Sequence, residues 1–261
     1  VSGTGVVIHP TAIVDDGARL GTGVELGPYV VVEGEAELGD GVKLGPHVHV
    51  AAGTRLAEGV RVFTGAVVGN IPQDLKFSGE ESTLEVGPRT IIREFCTLHR
   101  GTVDRRRTVI GADCLLMAYV HIAHDCVIGN HTILSNLVQL GGHVVIGEWV
   151  VIGGGTPVHQ FCHVGDHAMV GGGFRVVQDV PPYIRAAGEP LKPLDINSIG
   201  LKRRGFDEEA ISMLKKAHRI LFRSGLNRSN AVARIETELS QTAEIRNLLE
   251  FIESSERGLI G

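Results

Sequence analysis

Several histidines in this chain fall at separations that could do chemistry. His124, Gly142 and Gln160 are 18 residues apart, and Asp125, His143 and Phe161 repeat that interval one position on. His121 lies just ahead of His124, and His159 just ahead of Gln160. If the chain winds with an 18-residue period, His121, His124, His143, His159 and Gln160 gather along one edge within about three coils. Two chemistries suit such an edge. An imidazole with an unperturbed pKa of about 6.5 can take a hydroxyl proton at neutral pH. Three imidazoles converging on one point could instead hold a metal ion. Here Gly142 and Gln160 interrupt the His124 column, and they suit a close backbone approach and a hydrogen bond better than a metal shell. The spacing therefore favours acid–base work with no metal. Solvated histidines without a role are the bland alternative, and chance placement would not converge in this way.

The winding itself is fixed by a repeat. In steps of six from Ile8 to Val176, 26 of 29 positions are Ile, Leu or Val, and the exceptions are Asp74, Glu80 and Asp104. In a chain that is 43% hydrophobic, chance does not produce this. Four positions further on the residues are small, as at Ala12, Ala18, Val24, Thr90, Cys126 and Thr132, and Gly often follows the aliphatic residue. This is the hexapeptide repeat of a parallel β-helix, whose short strands wind round a prism with the aliphatic residue inward on every face. Three hexads make one coil of a triangular prism, so the repeat predicts roughly 8–9 coils and, at about 4.8 Å each, a height on the order of 40 Å. Periodicity leaves the hand of the coil open, although parallel crossovers are usually right-handed.

Two stretches leave the repeat, at about 70–85 and at 104–107, the first with Gln73, Asp74 and Lys76, the second with three consecutive arginines. Loops on a rigid scaffold often carry function, and they also simply cap sheet edges. The repeat stops at Asp179-Val180-Pro181-Pro182. We therefore place a β-helix at 1–180 and a C-terminal helical domain at 181–261. In that domain Asp207 is the expected N-cap of a helix carrying Ile211, Leu214, Ala217, His218 and Leu221 at helical spacing. Two further amphipathic helices are expected at 230–239 and 243–254. Between 200 and 228, eight Lys and Arg residues face three acids, a local +5 that suits an acidic partner, a phosphate or merely solvent.

A net charge of −5 argues against general nucleic-acid binding. No apolar run approaches the roughly 18 residues of a membrane span, and Val1-Ser2-Gly3-Thr4 opens no signal peptide, so a cytoplasmic location is expected. Cys96, Cys114, Cys126 and Cys162 all fall on the small inward position and read as core residues. Cys96 and Cys114, 18 apart, are expected to stack in adjacent coils, where a reducing cytosol disfavours a bridge.

Six segments go beyond the generic hexad: Gln73-Asp74-Leu75-Lys76, Leu98-His99-Arg100-Gly101-Thr102, His121-Ile122-Ala123-His124-Asp125-Cys126, Val158-His159-Gln160-Phe161, Asp179-Val180-Pro181-Pro182-Tyr183, and Gly200-Leu201-Lys202-Arg203-Arg204-Gly205-Phe206. With them, essentially the whole chain resembles the acyl-(acyl-carrier-protein)–UDP-N-acetylglucosamine O-acyltransferases, the first enzymes of lipid A biosynthesis. The resemblance implies a left-handed parallel β-helix with a C-terminal α-helical domain, and a homotrimer with active sites in the clefts between subunits. The implied reaction moves an (R)-3-hydroxyacyl group from the phosphopantetheine thioester of acyl carrier protein to the 3-OH of UDP-N-acetylglucosamine, with no other cofactor. It implies His124 as general base, the Gly142 N–H as oxyanion donor, and Asp125 beside them in the catalytic set. Gln73, Asp74, Lys76, His121, His143, His159 and Gln160 would position the sugar and phosphates. Asn197, Arg203 and Arg204 would hold the nucleotide from a neighbour's tail, and Gly172 would set acyl length. With Gly171, Gly172 and Gly173 all bare, long chains are expected, unless these glycines only serve a tight corner.

Two departures stand out. Asn197-Ser198-Ile199 lacks the acidic residue many relatives carry there, and Asp104-Arg105-Arg106-Arg107 replaces a Gly-rich loop. The alternatives are the related N-acyltransferase of the same pathway, which normally has an extra N-terminal domain, a 3-amino sugar as acceptor, and a non-catalytic β-helical scaffold, against which the histidine edge argues.

Overall fold

The computed structural model describes residues 4–261, so most of the Val1–Thr4 segment read above lies outside the described residues. Twenty-five short strands, most of two residues, wind round a prism with three flat faces. The first face runs from Val7–Ile8 to Met169–Val170, the second from Ile13–Val14 to Pro157–Val158, the third from Arg19–Leu20 to His163–Val164. Strands one coil apart pair in parallel: Val127 with Val145, Ile133 with Val151, Gln139 with Pro157. The hexad dictates this. Within each strand the aliphatic residue turns inward, and Ile122, Ile128, Leu134, Leu140, Ile146 and Ile152 are almost completely buried. Each such side chain contributes about 1.5–3 kcal/mol on burial. Between strands the chain turns a corner through a left-handed residue, among them Asp125, His143 and Phe161 with φ of 60°, 63° and 64°.

Both excursions leave from the corner between the second and third faces. Val67 pairs with Thr97, 30 residues on, and Thr97 with His121, 24 on. At the root of the first, the register shifts between Val68 and Asn70, and Gly69 has a φ of +85°. A Cβ at Gly69 would meet the Thr54 hydroxyl at 1.7 Å, so only glycine permits the bend. The longer coils also correct one expectation. Cys96 leads into the second face and Cys114 into the first, where Leu115 pairs with Ile91, so the two do not stack. The residues inserted between Gly101 and Arg107 broke the 18-residue arithmetic there. All four cysteines are buried and free.

Beyond the repeat, Ile184–Ala187 extends the first face in parallel and Lys192–Ile196 returns antiparallel to it. Four helices follow: α1 (Ser198–Arg203), α2 (Glu208–Arg223), α3 (Arg228–Glu238) and α4 (Ala243–Ser254). Asp207 caps α2 by accepting from the Ala210 N–H at 2.7 Å. Asn227 caps α3, which begins two residues earlier than expected because that side chain accepts from Asn230 N. The apolar faces of α2, α3 and α4 close a second core with Tyr183, Ile196 and Leu201. Among the described residues, no helix is long and apolar enough to cross a membrane.

Candidate active site

At a prism corner the ladder uses the N–H of the first and third residues. Gly141 N donates to Val158 O and His143 N to His124 O, while among the described residues the N–H of Gly142, between them, donates to no protein acceptor. The His124 ring lies directly over this glycine. A Cβ on Gly142 would sit 2.6 Å from His124 Cε1 and 2.7 Å from Nε2, so any side chain would displace the imidazole. One coil further, the His143 ring stacks on Phe161 at 4.5 Å and meets His124 edge-on at 5.1 Å.

Asp125 fixes the proton on His124. Its left-handed backbone turns the carboxylate back toward the preceding residue, and Oδ2 accepts from His124 Nδ1 at 2.9 Å. An ionised carboxylate only accepts, so Nδ1 carries the hydrogen and the Nε2 lone pair faces outward. Asp125 is completely buried. Burial alone would push its carboxyl up, but the bonds from His124 and from the Thr102 side chain and backbone outweigh this and hold it down at about 2. His143 has its Nε2 3.5 Å from Asp104 and 3.7 Å from Asp125, and burial keeps its pKa below the ordinary imidazole value in spite of these carboxylates.

The atoms that His124, Asp125 and His143 could offer a cation lie within 4.8 Å of one another. The central one, Asp125 Oδ2, already accepts from both Thr102 Oγ1 and His124. These bonds leave an imidazole oriented by a buried carboxylate.

A cavity of about 650 Å³ opens in front of this corner, and Gln73, Asp74, Lys76, His124, His143 and Gln160 all line it. Asp74 Oδ2 stands 4.0 Å from His124 Nε2. His121 and His159 are not in the lining. His121 turns to Thr97 Oγ1 at 2.8 Å and packs on His99, with its pKa pushed down to about 4 by burial and then by His99. His159 is exposed, with Nδ1 3.1 Å from Gln160 O. Asn197, Arg203 and Arg204 line a separate cavity of about 650 Å³ over the first face, with Arg185 and Ile199. Gly172 lies on the corner between first and second faces, across the second face from His124, where a Cβ would press on Gly154 O at 3.0 Å.

The sequence reading missed Thr102, Glu80 and Asp104, which also line the His124 cavity. A signal for two of them was present. Asp74, Glu80 and Asp104 are the three breaks in the inward aliphatic frame, and all three carboxylates converge here.

Fold and site together define a hexapeptide-repeat transferase. Residues 107–142 match the family model for bacterial transferase hexapeptide (six repeats), and residues 179–260 that for UDP N-acetylglucosamine O-acyltransferase, domain 2. The chain is 47% identical to an acyl-(acyl-carrier-protein)–UDP-N-acetylglucosamine O-acyltransferase of Thiobacillus denitrificans over 97% of this chain and 98% of that one. It is 50% identical to the like-named protein of Burkholderia mallei, with the same coverage. A solved UDP-N-acetylglucosamine acyltransferase from Bacteroides fragilis superposes with a TM-score of 0.96 at 43% identity, covering 98% of this chain and 100% of that one. The chain belongs to the acyl-(acyl-carrier-protein)–UDP-N-acetylglucosamine O-acyltransferase family. It is an acyltransferase built on a left-handed parallel β-helix.

Proposed function

We propose that this chain transfers an (R)-3-hydroxyacyl group from the phosphopantetheine thioester of acyl carrier protein to the 3-OH of UDP-N-acetylglucosamine, the first step of lipid A biosynthesis. The observation that carries the mechanism is the His124 ring, oriented by Asp125 and seated on Gly142 with Nε2 open to the cavity. His124 Nε2 takes the proton of the sugar hydroxyl as its oxygen attacks the thioester carbonyl carbon. The tetrahedral oxyanion is received by the unpaired N–H of Gly142, a donor worth roughly 10²–10³ in rate in comparable acyl transfers. When the carbon–sulfur bond breaks, the imidazolium returns its proton to the departing thiolate. The thioester is already activated, so the step requires no cofactor beyond the carrier's phosphopantetheine. Gln73, Asp74, Lys76, His143 and Gln160 border the space in which the sugar would lie.

Charge distribution supports a site shared between subunits of a homotrimer. The His124 cavity is lined by the carboxylates of Asp74, Glu80 and Asp104 and only one cation, Lys76, a poor match for a diphosphate. Arg185, Arg203 and Arg204 stand in the other cavity. A nucleotide bridging the two cavities, one from each of two copies, finds both its cations and its base. The outward residues of the first face also change from Glu25, Lys43 and Arg61 to Ile91, Leu115, Ile133 and Val151 toward the tail, and Leu75 stands fully exposed at the tip of the first excursion. Such apolar surface calls for a partner. The reading places the enzyme in the cytoplasm, where acyl carrier protein and the nucleotide sugar would both have to reach it.

The deciding experiment offers purified protein a 3-hydroxyacyl carrier thioester with UDP-N-acetylglucosamine and, separately, with its 3-amino analogue, and weighs the product by mass spectrometry. An O-acylated product is expected. Acylation of the amino sugar alone would overturn the acceptor assignment, and no thioester consumption with either would leave a scaffold.

A further inference from the structure

Asp125 is held by the second excursion far more firmly than a simple corner requires. The Thr102 hydroxyl donates to Asp125 Oδ2 at 2.6 Å, and the Thr102 N–H reaches both carboxylate oxygens at 3.0 and 3.2 Å. Arg105 N donates to Oδ1 at 3.2 Å, and the Arg105 guanidinium donates to the Asp125 carbonyl at 3.0 Å. Thr102 itself is buried, and its hydroxyl oxygen also accepts from Asp104 N at 3.4 Å, which ties it to the loop that carries the carboxylate nearest His143. The oxygen that takes the Thr102 hydroxyl is the same one that takes His124 Nδ1.

We infer that Thr102 is a positioning residue for the acyl transfer, acting through Asp125 on His124. This rests on the reading of His124 as the base. The backbone N–H groups of Thr102 and Arg105 fix where the carboxylate is, and the Thr102 hydroxyl, at 2.6 Å, is the shortest bond to Oδ2 and the side-chain donor that shares this oxygen with the imidazole. A carboxylate held in this way presents Oδ2 along the Nδ1–H direction, which keeps the proton on Nδ1 and the Nε2 lone pair over Gly142. Without the hydroxyl, Oδ2 loses its shortest bond and keeps only His124 and the longer Thr102 N–H contact, so the carboxylate and the ring on it are held less firmly. The geometry also explains why this loop packs so closely on the prism. A Cβ at Gly101 would meet the Arg107 N at 2.1 Å, so the chain at the root of the loop is folded tightly back on itself, which brings Thr102 down onto the corner.

The test is steady-state kinetics of the full-length protein with a 3-hydroxyacyl carrier thioester and UDP-N-acetylglucosamine. Thr102→Val should lower kcat by roughly 10- to 100-fold, the loss expected for one hydrogen bond to a buried charge. KM for the sugar nucleotide should stay within about twofold, since the buried hydroxyl is already engaged by Asp125 Oδ2 and Asp104 N. Thr102→Ser should restore most of the rate. In an Asp125→Asn background, Thr102→Val should cost less than about twofold more, because the two act as one unit. An unchanged kcat in Thr102→Val, failure of Ser to rescue, or a full further loss in the Asp125→Asn background would overturn the inference. If Thr102→Val does not fold, Thr102→Cys, with its weak donor, is read by the same criteria. A near-normal rate in His124→Ala would instead remove the reading on which the inference rests, and the two failures are thereby told apart.

Discussion

Gly142 is the residue on which the site turns, because it has no Cβ and its N–H finds no acceptor among the described residues. Replacing His124 with Ala should lower kcat by the 10²–10⁴-fold typical of a general base, with the fold unchanged by circular dichroism. Gly142→Ala is the subtler test. The new methyl would lie 2.6 Å from the imidazole Cε1, so the ring must move off the corner while the N–H stays in place. We expect kcat to fall at least tenfold with KM for UDP-N-acetylglucosamine little changed; a normal rate would show that the ring has another working position. This pairing was legible in the sequence, since His124 and Gly142 are one 18-residue coil apart. The dyad with Asp125 was not legible as a contact. Neighbouring residues face apart in a strand, and only the positive φ of 60° at Asp125 brings its carboxylate back to His124.

At the scale of the elements, the excursions do what the flat faces cannot, by placing side chains in front of a corner. The hexad arithmetic marked the two excursions by its three interrupted positions, yet could not say where they land, because a loop's path depends on contacts such as Thr102 to Asp125 and not on a period. For the same reason the arithmetic failed for Cys96 and Cys114, which lie on either side of an insertion, and held for His121 with Gln139, which do not. The clamp on Asp125 has a pH signature. Its carboxyl titrates near 2 in the folded chain, against about 3.9 when unfolded, so the unfolded state binds the proton first. The stability this gives is present above pH of about 4 and is lost as pH falls toward about 2. Asp125→Asn, which cannot titrate, should lose less stability than the parent between those values in acid denaturation series, and an identical loss would mean that other carboxylates set the slope.

The first-to-second-face corner carries a different prediction. Gly153-Gly154-Gly155 and Gly171-Gly172-Gly173 stack there, leaving a stretch of edge without side chains. We expect a preference for long 3-hydroxyacyl chains, shifted to shorter ones by Gly172→Met. Because a Cβ at Gly172 already presses on Gly154 O, that variant should also melt at a lower temperature. Competition between long and short carrier substrates reads the preference independently of stability, and an unchanged ratio would place the length limit elsewhere. Gly172 lies a whole face away from His124 in one chain, so a ruler at this corner would have to act on a chain bound from a second copy, as the proposed shared site requires.

At the scale of the whole molecule, charge is segregated. The chain is acidic overall, yet α2 shows solvent a row of cations, Lys215, Lys216, Arg219 and Arg223, while Ile211, Leu214, Ala217 and Ile220 turn to the tail's own core. Spacing of four residues puts Lys215, Arg219 and Arg223 along one side of the helix, and none of them lines the His124 cavity. An acidic carrier protein docked on that side would be steered by it. Steering of this kind weakens with salt, since the screening length is about 10 Å at 0.1 M and about 3 Å at 1 M. Charge reversal at Arg219 and Arg223 should therefore raise KM for acyl carrier protein several-fold, leave kcat at saturation near its parent value, and flatten the salt dependence of kcat/KM. Neither arginine lines the cavity that holds Arg203 and Arg204, so KM for UDP-N-acetylglucosamine should not follow. If the nucleotide KM rises while that for the carrier stays flat, these arginines belong to the nucleotide site and the carrier docks on another surface.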